Sequence, residues 1–133
     1  MTMVAQYANQ YRQTQVMTSS RVQIVVLLYE GAIQSTELAR RAIETGKVAD
    51  KGRFLGRAIS IIGELDSALD YQVGGEVAKL LHRLYEYVMA ELIAANARND
   101  AHRLEGVLRC LNVLREAWVE VAARNQAPLA MAR

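Results

Sequence analysis

A chain of 133 residues with 52% hydrophobic and 23% charged residues has the length and balance of one globular domain, not of a disordered segment. Its net charge of +2 comes from interspersed signs with no block of like charge, which argues against nucleic acid as a partner. The single cysteine, Cys110, leaves neither an intrachain disulfide nor a cysteine-based zinc site, and no run reaches the ~18 apolar residues that suggest membrane insertion.

At the N-terminus, "MTMVAQYANQYRQTQV" carries neither the basic lead nor the apolar centre of a secretory signal, so the expected location is cytoplasmic. Met3, Val4, Tyr7 and Tyr11 fall along one helical face. Residues 1–17 are therefore read as a short helical segment that must dock to persist, because isolated helices need roughly 12–15 residues. Tyr7 and Tyr11 would anchor it as a lid on a partner site. Ser20 and Gln23 then have capping-box spacing, which predicts a first long helix from Arg21 to Thr45, stopped by Gly46. "GKVAD" leads into a second, from Lys51 to Gln72, closed by Gly74 and Gly75. The third is read from Glu76 to Arg98, and Asn99-Asp100 makes the turn. Asp100 is the N-cap of the fourth, which continues to about Arg124. Residues 126–133 form a frayed tail. Before Pro128, the one proline, nothing interrupts long helices. Connections this short make consecutive helices antiparallel neighbours, so residues 18–125 are predicted to form an all-α, up-down four-helix bundle.

Each helix offers a core stripe at helical spacing. The first gives Val22, Val25, Leu28, Tyr29, Ala32, Ala39 and Ile43, and the second Leu55, Ala58, Ile59, Ile62, Leu65 and Leu69. The third gives Val77, Leu81, Leu84, Tyr85, Val88 and Leu92, and the fourth Leu104, Val107, Leu108, Leu111, Leu114, Trp118 and Ala122.

A second set of apolar or small residues lies beside each stripe, rotated by roughly 100° on an ideal helix. It comprises Ile24, Leu27, Gly31 and Leu38, then Phe54, Ile61 and Ala68, then Leu80, Tyr87 and Ala94, and finally Gly106, Cys110, Val113 and Ala117. A bundle helix often buries more than its strict seam. Recurrence on all four helices nevertheless points to an apolar surface that another polypeptide covers. The alternative is a self-associating structural bundle whose grooves pair with one another. On the other flank of the second helix, Gly56, Ser60, Gly63 and Ser67 form a strip without bulk.

Catalytic chemistry finds little support. Neither His82 nor His102 has a glutamate three residues before it, as a di-iron bundle would require, so both read as surface histidines and no cofactor or metal is expected. Cys110 sits among aliphatics and reads as a packed thiol. No phosphate-binding loop or nucleophile elbow is present. Arg40, Arg41, Lys47, Lys51, Arg53 and Arg57 surround the first connection. They suit either a solvated helix terminus or docking to an acidic partner.

"LLYEGAI", "GGEVAKLLHRLYEYVMAELIAANARND" and "LREAW" resemble the flagellar secretion chaperone family over about Tyr7 to Val121, most specifically from Gly74 to Asp100. "TSS" before the first helix and "SALD" at the end of the second fit as well. Arg21 stands where many members have proline, and Gly56, Gly63 and Gly106 stand where larger residues are expected. The resemblance implies an antiparallel bundle that binds the disordered C-terminal segment of flagellin. Such a chaperone prevents premature polymerisation and supports delivery to components of the flagellar type III export apparatus. The second apolar edge would then belong to the cargo.

Overall fold

Apolar residues three and four apart place one stripe of each helix inward, and in the computed structural model four helices bury those stripes together. The structure describes Met3 and residues 17–132, with side chains across 21–124. Tyr7, Tyr11 and most of the predicted N-terminal segment lie outside the described residues. The helices are α1 (Met17–Glu44), α2 (Val48–Ser67), α3 (Tyr71–Arg98) and α4 (His102–Ala132), and there is no strand among the described residues. They form a ring in which α1 packs on α2 and α4, and α3 packs on the same two. Side chains bridge the diagonal from α1 to α3, where the buried Tyr29 and Tyr85 join hydroxyls. Burial pushes both phenols up from their ordinary pKa, so the pair stays neutral.

Most of the predicted stripe lies inside. Tyr29, Leu55, Ile62, Val88, Leu92, Leu104 and Leu111 are fully buried, while Val25, Leu28, Leu84, Leu114 and Trp118 pack against them from partly buried positions. Val77 does not belong to it. It is 64% exposed, because the bundle ends one turn beyond Leu81, where Ala78 faces inward in its place. Ser35 and Thr36 fill the gap between Ala32 and Ala39, with the Thr36 hydroxyl donating to the Ala32 carbonyl at 2.8 Å.

Helix ends depart from the sequence reading for local reasons. α1 begins at Met17, so Ser20 lies within the helix and does not cap it. Arginine at position 21 keeps a backbone N–H and avoids the proline ring clash, which permits this upstream turn. At the other end, Gly46 takes φ 72°, and Lys47 N–H donates to the Ala42 carbonyl while Gly46 N–H donates to that of Ile43. Those two bonds are a Schellman closure. α2 starts at Val48, three residues before the predicted Lys51, and Asp50 supplies the acid of its first turn. It ends at Ser67, earlier than Gln72, because Asp70 opens a new helical turn by accepting from Gln72 N–H at 3.0 Å and Val73 N–H at 3.1 Å. Gly75, at φ 51° and ψ −123°, then breaks α3 after that single turn. Asn99 closes α3 in the left-handed region, and Asp100, two residues ahead of α4, accepts from the N–H of its first residue, His102, at 3.1 Å. α4 carries its backbone helix past Arg124 to Ala132.

Candidate partner-binding surface

Two close contacts set the register of the apolar edges. A Cβ on Gly31 of α1 would stand 3.2 Å from Ile61 Cδ1 of α2. Moving seven residues, about two turns, in opposite senses along these antiparallel helices sets Ile24 opposite Ala68 and Leu38 opposite Phe54. Ile24 and Ala68 do line one cleft. A Cβ on Gly106 of α4 would stand 2.9 Å from the Tyr87 hydroxyl oxygen of α3. The same step sets Leu80 opposite Val113. Glycine at 106 therefore lets the Tyr87 phenol lie down on α4, which accounts for the small residue there.

The second apolar set thus divides into two strips. One follows the α1–α2 seam through Ile24, Gly31, Leu38, Phe54, Ile61 and Ala68. The other follows the α3–α4 seam through Leu80, Tyr87, Gly106, Cys110, Val113 and Ala117, with Ala94 toward its far end. In a ring of four helices these seams lie on opposite faces. Ile24 is 55% exposed, Leu80 49%, Tyr87 45% and Val113 66%. Ala117 is exposed as well, whereas Gly31, Phe54, Ile61, Ala94 and Cys110 are half-buried. Burial raises the Cys110 thiol pKa, as for a packed side chain and unlike an activated nucleophile. Leu27 belongs to neither strip. It is 64% exposed and lines a shallow groove between α1 and α4 with Gln23, Val26, Val119 and Ala122.

A cleft of about 440 Å³ opens where α1 begins and α2 ends. Ile24, Val25, Leu28, Leu65, Leu69, Val73, Val77, Leu81, Tyr85 and Trp118 line it, with Arg21 and Asp70 as its charged side chains. Sequence reasoning found Ile24 and Ala68 here but missed Val73 and Val77. The available signal was the Gly74-Gly75 pair, since a broken helix leaves apolar residues on either side of the break without a full layer above them.

The basic corner is smaller than the sequence suggests. Lys51 is buried, and its Nζ donates to the Asn96 carbonyl at 3.1 Å and to Asn99 Oδ1 at 2.6 Å, so it closes the end of α3 instead of facing a partner. Arg53 pairs with Asp50 at 3.2 Å and lies 4.6 Å from the centre of the Phe54 ring. Arg41, Lys47 and Arg57 remain exposed. His102 is exposed and bonded to Glu105, while His82 is partly exposed and contacts Asp66. No group of three or more metal-ligating side chains occurs among the described residues, and no helix there is long and apolar enough to cross a membrane.

Against known proteins, a family model described as flagellar protein FliS matches residues 3–125. The flagellar secretion chaperone FliS of Salmonella typhimurium is 38% identical over 119 residues, covering 89% of this chain and 88% of that relative. Flagellar secretion chaperone FliSB of Pseudomonas aeruginosa is 38% identical over 113 residues, covering 85% and 90% respectively. The Bacillus subtilis flagellar secretion chaperone FliS is 31% identical over 108 residues, or 81% and 80% of the two chains. A crystal structure of a bacterial flagellar chaperone shares the fold, with a TM-score of 0.76 at 18% identity over 90% of this chain and 98% of the other. The chain belongs to the flagellar protein FliS family.

Proposed function

We propose that this protein is a cytoplasmic flagellar export chaperone that holds the disordered C-terminal segment of flagellin on its two apolar strips and end cleft. The observation that carries this reading is the pair of apolar strips, each partly exposed, on opposite faces of one bundle, in a chain whose relatives are named secretion chaperones. A compact partner would reach one face only. A disordered segment reaches both, since passing round a helix pair takes on the order of a dozen extended residues at about 3.3 Å each. Ordering such a segment costs about 2–5 kcal/mol of the gross contact energy, which keeps binding reversible and allows release to the export apparatus. Covering those flagellin residues would prevent premature assembly.

The test is titration of the full chain with a peptide of the flagellin C-terminal segment, together with light scattering of the free protein. Saturable binding to a monomer, with the peptide gaining helical circular dichroism, is the expected outcome. A stable dimer that the peptide does not dissociate would favour the self-associating bundle.

Residues 1–17 enter this reading as a lid, with Tyr7 and Tyr11 lying on part of the cargo site until cargo displaces them. Deleting residues 1–12 should then tighten peptide binding, because the closed fraction no longer lowers the apparent affinity. Weaker binding after the deletion would make the two tyrosines direct cargo contacts. Hydrogen exchange separates the cases again: a lid loses protection at residues 3–11 when cargo binds, whereas a clamp gains it.

A further inference from the structure

Where Tyr87 of α3 lies down on α4, two donor groups converge on bare backbone. A Cβ on Gly106 would stand 2.9 Å from the Tyr87 hydroxyl oxygen and 3.7 Å from Arg109 Nη2, so the phenol and the guanidinium both border the space that another residue's side chain would fill. The acids nearby are committed elsewhere. Glu105, one turn before Arg109, is bonded to His102 at 2.9 Å, and Glu91 of α3 pairs with Arg103 at 3.0 Å. Arg83 stands exposed one turn before Tyr87, while Glu86, three residues further along α3, lies 3.6 Å from His82 Nε2. Glu116 is two turns from Arg109 along α4. Among the described residues neither Arg83 nor Arg109 has an ion pair. The α3–α4 strip therefore has an uncompensated cation on each helix. The α1–α2 strip differs, because exposed Arg57 and Glu64 on either side of Ile61 along α2 give it both signs.

We propose, building on the chaperone function above, that the Tyr87 hydroxyl and the Arg109 guanidinium form a carboxylate notch in the α3–α4 strip, which takes the side chain of an aspartate or glutamate in the cargo segment. Arg83 adds attraction from the α3 side. The apolar strip continues past the notch, through Leu80 and Val113 in one direction and Ala94 in the other. A segment that follows the strip crosses the notch with its middle, so a side chain and not a chain terminus supplies the charge.

A carboxylate fits because it is acceptor-only, and its two oxygens can take an arginine N–H and a phenol O–H at the same time. Apolar cargo laid over the same spot would take water from both donors and return nothing. Gly106 leaves the room, and the strip around it supplies the apolar contact. One point of the cargo is then selected by charge while its neighbours are selected by shape.

Calorimetric titration of the full chain with the flagellin C-terminal peptide tests this, alongside copies of the peptide in which each acidic residue in turn is replaced by its amide. One of those replacements should weaken binding to the parent chain by about tenfold, the span of one charge-assisted hydrogen bond. Arg109→Gln should weaken the unmodified peptide by a similar factor and cost that amide peptide nothing further. Tyr87→Phe should show the same pattern with a smaller loss. Arg41→Gln, which removes the same charge at the far corner, should leave every affinity in place. The notch is overturned if Arg109→Gln and Tyr87→Phe bind the peptide as the parent does, if the losses from the amide peptide and from Arg109→Gln multiply, or if Arg41→Gln costs as much as Arg109→Gln. Those outcomes leave the chaperone function standing; a parent chain that binds no peptide removes that function and the notch with it.

Discussion

Leu81→Asp should abolish the folded state, while its neighbour Leu80→Asp should keep the melting temperature and lose the flagellin segment. Leu81 is 8% exposed within the central cluster, whereas Leu80 is 49% exposed on the α3–α4 strip opposite Val113. An unpaired carboxylate at the first position costs several kcal/mol, a large part of the roughly 5–15 kcal/mol that holds a domain of this size together. At the second it remains in water. If cargo covers the strip, the same charge is buried only in the complex, so the loss appears in binding. A contact of hot-spot quality is worth about 2 kcal/mol or more, which corresponds to roughly thirtyfold in affinity. Thermal unfolding followed by circular dichroism and calorimetric titration with the flagellin peptide measure the two quantities separately. Equal destabilisation by both substitutions would return Leu80 to the core and remove the strip from the cargo site.

That pair of neighbours also shows what periodicity makes legible. Leu81, Tyr85, Val88 and Leu92 repeat at intervals of three and four, so the buried face could be read without knowing what it packs against. The second edge could be read as apolar, but not as two opposite strips. Register is a relation between helices, and it rests on which side chain meets Gly31 or Gly106. The end cleft was hidden for another reason: Val77 fits the helical pattern, but the bundle ends one turn beyond Leu81 and Ala78 faces inward in its place. Boundaries suffered where several residues compete to cap. Asp70 competes with the glycine pair to end α2, and its carboxylate captures two free N–H groups. At the start of α1 the helix reaches back to Met17, although Ser20 and Gln23 keep the spacing of a cap.

Lys51 is the charged residue whose role changes most between sequence and structure, and it carries the other large expected effect. Its position in a basic cluster suggests a steering charge, yet its ammonium sits on the Asn96 carbonyl and the Asn99 amide oxygen at the end of α3. Terminal helix carbonyls bear partial negative charge and have no partner inside their own helix, so a cation from α2 satisfies them and ties the two helices together. Asn99 also holds the left-handed turn, with φ 51°. Lys51→Met keeps the stem and removes the ammonium, leaving those oxygens short of a donor at a cost of about 1–3 kcal/mol. Lys51→Glu goes further by setting a carboxylate against two acceptors, and a loss of about 3–5 kcal/mol is expected, as for a buried pair broken from one side. Exposed Arg57→Glu, on the same helix, should stay within about 0.5 kcal/mol of the parent. Chemical denaturation of the three variants gives this order directly. If Lys51→Met instead unfolds with the parent while the association rate of the flagellin peptide falls, Lys51 acts outward on the partner, and the tie between α2 and α3 lies elsewhere.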